Sequence, residues 1–166
     1  MAELSLRPAT TADLAAVASI YNEGIADRVA TFETAPRAPD ELEPWLGEAG
    51  PFVVAEQAGD VLGFARVAPY SDRCVYEGVG EHAVYVRRDA RGRGLGRELL
   101  VALAAEAERD GFYKLTSRVF TDNEASLAAH RAAGFETIGV QRRHGRLDGE
   151  WKDCVLLEIL IGAGAA

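Results

Sequence analysis

The chain has 166 residues, enough for one domain with a single hydrophobic core. Its formal net charge of −8 argues against nucleic acid or an anionic membrane surface as its main partner. No apolar run approaches the ~20 residues of a membrane span, and the N-terminus lacks a signal-peptide pattern, so we expect a cytoplasmic protein. Two cysteines, Cys74 and Cys154, make no disulfide framework and are expected to be reduced thiols.

The first half of the chain alternates between strand and helix patterns. A short strand at residues 4–9 precedes an amphipathic helix that begins at Thr10 or Thr11. A proline-punctuated loop then leads to a second, shorter helix, predicted over residues 39–49. The Gly59-Asp60 pair divides the next segment into two strands and predicts a β-hairpin, and "EHAVYVRR" is a fourth strand.

The second half continues the alternation. The segment "GLGRELLVALAAEAERDG" predicts a long helix that ends at Gly111. It is followed by the strand "KLTSRVF", the helix "NEASLAAHRAAG", and two final strands. The order β-α-α-β-β-β-α-β-α-β-β predicts a single α/β domain over residues 1–166, a mixed twisted sheet flanked by helices. The last residues, 162–166, are expected to form a flexible tail.

A glycine-rich turn joins the fourth strand to the long helix in "VYVRRDARGRGLGRELL", residues 84–100. A strand, a short glycine turn and a helix together direct backbone N–H groups and the positive helix end at one point, which suits pyrophosphate. Three glycines leave room for the ligand and three arginines add positive charge: Gly92, Gly94, Gly96, Arg91, Arg93 and Arg97. The nucleoside-triphosphate loop needs a Gly-Lys pair that is missing, and the dinucleotide fingerprint needs glycine where Arg97 stands.

The pattern Arg91-x-x-Gly94-x-Gly96 resembles the Q/R-x-x-G-x-G/A signature of acyl-CoA-dependent N-acetyltransferases of the GNAT superfamily. Downstream, "NEASLAAHRAAGF" is similar to that superfamily's N-x-x-S-x-x-x-[HY]-x-x-x-G-F element. The resemblance covers residues 4–160 and implies a GNAT-type domain that uses acetyl-CoA as co-substrate and no metal.

The resemblance also implies which residues contact coenzyme A. The strand residues Val84, Tyr85 and Val86 would pair through their backbone with the pantetheine arm, and the Val86 amide would polarise the thioester carbonyl. The turn, including Leu95, would hold the pyrophosphate. Asn123 is a plausible helix cap that in the family also contacts the cofactor, and Ser126 lies one turn further on. For His130 two roles stay open, packing beside the cofactor or protonation of the departing thiolate.

Within the superfamily, the chain is similar to phosphinothricin N-acetyltransferases and related amino-acid N-acetyltransferases. The matching segments are "PATTADLAAVASIYNEGI", "ATFET", "GFARVAPYSDR" and "GEWKDCVLLE". The segment "YSDRCVYEGVGEHAVYV" is nearer the branch that acetylates arsinothricin. This implies resistance by detoxification, in a homodimer. Alternatives are a general amino-acid acetylase acting on methionine derivatives, an acetylase of protein N-termini, and a non-catalytic acyl-CoA-binding module.

Amide formation from a thioester needs a neutral amine and therefore a general base. Glu81 matches the family's catalytic glutamate in E-x-[ST]-V-Y-V, with Ala83 in place of the usual Ser or Thr. An acidic protein that binds an anionic acceptor needs a local cation, and Arg73 is the candidate, flanked by Tyr70 and Tyr76. The role of the hairpin between Arg142 and Trp151 stays open.

Overall fold

The computed structural model describes residues 2–166 and contains one seven-stranded sheet. The strands are β1 Ser5–Pro8, β2 Phe52–Gln57, β3 Asp60–Pro69, β4 Val79–Val86, β5 Lys114–Phe120, β6 Glu136–Leu147 and β7 Glu150–Leu160. Their spatial order is β1-β2-β3-β4-β5-β7-β6. Every neighbouring pair is antiparallel except β4 and β5, which are parallel.

Helices cover both faces of this sheet. They are α1 Leu14–Asp27, α2 Leu95–Arg109 and α3 Glu124–Ala132. Alternate residues of β2 separate the two cores: Phe52 and Val54 pack with α1, whereas Val53 and Ala55 pack with α2. This period-two alternation of apolar residues is what a strand buried on both faces requires. The helix α3 lies beside α2 on the second face.

The predicted α/β architecture and element order are confirmed, and β5 has the predicted bounds. The second helix differs, because residues Pro39–Gly47 form a 3₁₀ helix instead of an α-helix. Pro44 lies inside it and has no N–H to give to an α-helical bond, and Leu42 is its only fully buried side chain. At the predicted tail, the Gly162 N–H donates to Glu108 Oε1 at 2.9 Å, so this segment contacts the domain; its flexibility stays a prediction.

The sheet divides at its centre, and this division positions the site. Strands β4 and β5 pair only from Val79 to Glu81 on one side and from Lys114 to Thr116 on the other. Beyond Glu81 and Thr116 both strands continue without pairing to each other, β4 as far as Val86 and β5 as far as Phe120. A fork therefore opens between two neighbouring strands of one sheet.

Candidate active site

A cavity of about 500 Å³ occupies the fork. Its walls come from both strands of the fork, from α3, from the loop after α1 and from the β6–β7 hairpin. Because residues alternate along β4, Glu81 and Tyr85 face the side of α1, while His82 and Val84 face the side of α2 and α3. The cavity therefore reaches both faces of the sheet through the fork, and two different molecules can approach its centre from opposite sides.

The predicted base Glu81 lies at the point where the fork opens. It is the last residue of β4 that pairs with β5, and its side chain is 46% exposed at the cavity wall. The nearest cation is Arg118 on β5, with Nη1 at 4.0 Å from Glu81 Oε1. A carboxylate that is open to the cavity and held in no short hydrogen bond with this arginine is free to receive a proton from a bound amine.

Two backbone N–H groups of β4 point into the fork. The Arg87 N–H donates to the Leu62 carbonyl at 2.7 Å, which turns Arg87 toward β3. Since backbone groups alternate along a strand, the N–H groups of Val86 and Val84 turn the other way, toward the fork. The Val86 carbonyl agrees with this direction, because it accepts from Arg91 Nε at 3.1 Å. Neither valine has a β5 partner among the described residues, so both amides are available to a ligand.

The glycine turn leads from this strand edge to the start of α2. Gly94 is the residue before the helix and has φ of +79°, a left-handed conformation that glycine adopts without cost. Gly96 serves a different purpose, because a Cβ there would lie 3.3 Å from the Cβ of Ala129 in α3. It allows the two helices to approach closely. Leu95 is buried, so it offers a ligand its backbone and not its side chain.

The arginines of the turn are exposed, and their present partners are protein groups. Arg91 Nη1 and Arg88 Nη2 donate to the two oxygens of Asp27, at 2.8 Å and 2.7 Å. These contacts, with that of Arg88 the stronger, lower the pKa of Asp27 below its ordinary value. Arg93 Nη2 donates to the Asp89 carbonyl at 3.3 Å, and Arg97 Nη1 to Glu98 Oε1 at 2.8 Å.

The predicted downstream residues lie at the opposite wall of the cavity. Asn123 caps α3, since its Oδ1 accepts from the Ser126 N–H at 3.2 Å, and its Nδ2 donates to the Val29 carbonyl at 3.1 Å. Asn123 thereby ties α3 to the loop after α1. Ser126 and His130 also line the cavity. The predicted cofactor residues of α3, with Val84 and Tyr85 of β4, therefore line the cavity, whereas the glycine turn follows β4 outside the described cavity wall. Their role in cofactor binding stays a prediction.

A buried pair of histidines, which the sequence did not reveal, lies beside this wall. His82 and His130 are 3% and 1% exposed, and their Nε2 atoms are 2.9 Å apart. The Ser126 carbonyl accepts from His130 Nδ1 at 2.7 Å, so the neutral His130 ring carries its lone pair on Nε2 and His82 Nε2–H must donate to it. His82 Nδ1 is buried and has no hydrogen-bond partner among residues 2–166. Burial lowers the pKa of both rings, and for His82 the neighbouring His130 adds to the effect.

The wall of the cavity toward the loop after α1 and the β6–β7 hairpin consists of residues that sequence reasoning largely missed. The rings of Phe32 and Phe120 meet edge to face with centroids 4.8 Å apart. Gly145 lies so close to Phe32 that a Cβ would approach its ring to 2.6 Å. His144 and Arg118 complete this wall. The one sequence signal for Arg118 was a charged residue inside the otherwise apolar end of the β5 pattern.

The three residues predicted to bind the acceptor lie elsewhere. Tyr70 and Tyr76 are exposed, and their rings meet edge to face with centroids 5.7 Å apart. The Arg73 guanidinium lies 5.7 Å from the Tyr76 ring centroid. None of the three lines the cavity in the part of the chain that the structure describes. Their role in acceptor binding stays a prediction.

Both cysteines are free, Cys74 at the surface and Cys154 at the cavity wall. Burial raises the pKa of the Cys154 thiol, which disfavours the nucleophilic thiolate. Within residues 2–166 no group of three or more His, Cys, Asp or Glu side chains is placed to hold a metal ion. No helix in this range has the length and apolar character needed to cross a membrane.

The sequence profile of the Acetyltransferase (GNAT) family matches residues 17–135, which include the fork, the glycine turn and α3. The chain belongs to the GNAT family of acetyltransferases. A GNAT phosphinothricin acetyltransferase from Sinorhizobium meliloti, solved in complex with acetyl-CoA, superposes with a TM-score of 0.90 at 32% identity, over 97% of this chain and 90% of that one.

Two relatives match almost the whole chain. An L-methionine sulfoximine/L-methionine sulfone acetyltransferase from Pseudomonas paraeruginosa is 33% identical, over 93% of both proteins. A phosphinothricin N-acetyltransferase from Alcaligenes faecalis is 37% identical, over 92% of this chain and 80% of the relative. The predicted superfamily and the similarity to phosphinothricin acetyltransferases are therefore confirmed.

Proposed function

We propose that this GNAT protein transfers the acetyl group of acetyl-CoA to the α-amino group of a small amino-acid-like acceptor. The observation that carries the proposal is the fork, where the Glu81 carboxylate lies at the cavity wall and the amides of Val84 and Val86 have no β5 partner. The glycine turn follows the end of the same strand. The donor enters from the side of α2 and α3, and the acceptor from the side of α1 and the β6–β7 hairpin.

The donor side suits coenzyme A. The turn at Gly92–Gly96 and the start of α2 direct backbone N–H groups and a positive helix end toward its pyrophosphate. Arg91, now paired with the Asp27 carboxylate, can exchange that partner for phosphate oxygens. The free N–H groups of Val84 and Val86 suit the amide-bearing pantetheine arm. Backbone amides without a strand partner need another hydrogen-bond acceptor, which a bound cofactor can supply.

The reaction needs no covalent enzyme intermediate. The amine nitrogen attacks the thioester carbonyl carbon, a C–N bond forms, the C–S bond breaks, and coenzyme A leaves as a thiolate that is then protonated. Glu81 accepts the proton that the amine loses, directly or through a water molecule. The Val86 N–H stabilises the oxyanion, and such a donor contributes about 3 kcal/mol in the transition state. A base at the fork argues against a non-catalytic acyl-CoA-binding module.

For the acceptor we propose a glutamate analogue, phosphinothricin or arsinothricin, whose acetylation would confer resistance. The relative from Alcaligenes faecalis is named for phosphinothricin. A second candidate is an amino acid such as a methionine derivative, because the relative from Pseudomonas paraeruginosa is named for methionine sulfoximine and sulfone. Cytoplasmic location and a homodimeric state belong to the same proposal.

An acceptor panel tests this function. Release of coenzyme A from acetyl-CoA is measured with arsinothricin, phosphinothricin, methionine sulfoximine, methionine sulfone, free amino acids and a peptide with a free N-terminus. We expect turnover with the amino-acid-like acceptors and none with the peptide. Turnover of the peptide alone would establish a protein N-terminal acetylase, and no turnover of any member would refute the small-acceptor proposal.

A further inference from the structure

The acceptor side of the cavity contains one strong cation. Among the described residues that line the cavity, Arg118 is the one lysine or arginine. It lies on β5, two residues beyond the last pairing with β4, and its side chain is 33% exposed. It shares a sheet face with Thr116, which pairs with Glu81, so Arg118 and Glu81 project to the same side of the fork.

The position of the Arg118 guanidinium is set by β6, which lies beyond β7 in the sheet. Its Nε donates to Gln141 Oε1 on β6 at 2.8 Å. That bond uses one of the five guanidinium N–H groups and leaves four on the two terminal nitrogens. The Glu81 carboxylate lies 4.0 Å from Nη1, within ion-pair range but too far for a hydrogen bond. The terminal nitrogens of the guanidinium therefore remain available to a ligand in the cavity.

We propose that Arg118 binds the carboxylate of the acceptor and thereby fixes its amine against Glu81, an assignment that rests on the proposed function. In an α-amino acid the amine and the carboxylate share one carbon, so an amine at Glu81 brings the carboxylate into the immediate neighbourhood of Glu81. Two carboxylates that close repel each other unless a cation stands between them. Glu81 and Arg118 present opposite charges side by side, in the order that an amino-acid zwitterion requires.

The assignment gives the cavity a defined selectivity. Acceptors with a free α-carboxylate are favoured, and an acceptor whose carboxyl is blocked as an amide loses the charge-assisted bonds to Arg118. A peptide N-terminus also lacks this carboxylate. Gln141 acts as a positioning residue, since it holds the guanidinium and does not contact the acceptor.

The test compares an acceptor with its own α-carboxamide. For the best acceptor of the panel, we expect Arg118→Gln to lower kcat/KM about 10- to 150-fold, the usual effect of losing a hydrogen bond to a charged group, mainly through KM. For the carboxamide the same variant is expected to change kcat/KM less than about threefold, because no carboxylate is present. Arg118→Lys keeps the charge but not the paired donors. For the acid, we expect its loss in kcat/KM to be smaller than that of Arg118→Gln but larger than about threefold.

Arg142→Gln is the matched control, because Arg142 is an exposed arginine on β6 outside the cavity wall. This variant removes the same charge, and we expect it to change kcat/KM equally little for the acid and for the carboxamide. The dissociation constant of acetyl-CoA, bound on the other side of the fork, verifies that each variant is folded. Binding of the acceptor to the enzyme–coenzyme A complex, measured by calorimetry, gives the same comparison without turnover.

Equal losses for the acid and the amide in Arg118→Gln would overturn the assignment, and so would an acid-selective loss in Arg73→Gln with none in Arg118→Gln. Either result leaves the proposed function intact, because the unmodified enzyme still acetylates the panel. Failure of the unmodified enzyme with every acceptor would refute the proposed function itself.

Discussion

The buried histidine pair makes the stability of the fold dependent on pH. Folding lowers the pKa of His82 and of His130, chiefly by burial. The unfolded chain therefore binds protons on these two rings more readily than the folded protein does. The contribution of the two neutral rings to stability is fully present above the ordinary histidine pKa of about 6.5, and it is lost as the pH falls below this value.

The size of the loss follows from the number of buried rings. One histidine that stays neutral in the folded state but titrates in the unfolded state costs about 1.4 kcal/mol between pH 7.5 and 5.5. The pair therefore costs at most about 2.7 kcal/mol over this interval. The paired carboxylates Asp13 and Asp27 have lowered pKa values, so their stabilisation is lost only at more acidic pH.

Urea unfolding followed by tryptophan fluorescence at several pH values measures this dependence. The free energy of unfolding should fall by up to about 2.7 kcal/mol from pH 7.5 to 5.5, and by about half as much in His82→Leu. His144→Gln is the control, because it removes an exposed histidine instead of a buried one. A free energy of unfolding that is flat across this interval, or equal pH dependences in His82→Leu and the unmodified protein, would refute the reasoning.

Two further predictions concern the elements that frame the donor side. Gly94→Ala should lower the free energy of unfolding by about 1–2 kcal/mol, because φ is +79° and a Cβ meets no atom within 4 Å, so the cost is conformational. Gly47→Ala, also in open space but without a positive φ, is its control in urea unfolding, and equal effects would contradict the argument. Asn123→Ala should cost about 1 kcal/mol through loss of the α3 cap, whereas Asn123→Asp keeps the cap oxygen. Thermal unfolding measures the stability of both Asn123 variants, and equal losses of stability would exclude the cap as the cause.

The sequence predicted what depends on local patterns. The strand β5 and the cap at Asn123 are features of short segments, and both were found where the sequence placed them. The glycine turn was interpretable because φ at Gly94 is a property of one residue. Prediction failed at residues 39–47, where the helical spacing was present but Pro44 prevented α-helical bonding.

The contacts that form between distant strands were not accessible to the same reasoning. Arg118 meets Glu81 only because β4 and β5, more than thirty residues apart in the chain, pair for three residues and then separate. His82 was passed over because its partner, His130, is 48 residues away. Arg73 was predicted as a cation in a nearby loop; its guanidinium lies 5.7 Å from the Tyr76 ring centroid, and its role in acceptor binding stays a prediction. Such contacts are set by strand register, which no local pattern in one sequence reports.

The role of Glu81 is tested most directly by the pH dependence of acetyl transfer. Coenzyme A release is measured from pH 5 to 9 for the unmodified enzyme, for Glu81→Gln, and for Glu77→Gln, an exposed glutamate outside the cavity wall. If Glu81 is the base at the fork, Glu81→Gln binds acetyl-CoA normally, loses about 100- to 10,000-fold in kcat at neutral pH and recovers only as the amine itself deprotonates. Glu77→Gln should behave as the unmodified enzyme. A Glu81→Gln variant with the rate and pH profile of the unmodified enzyme would contradict the account.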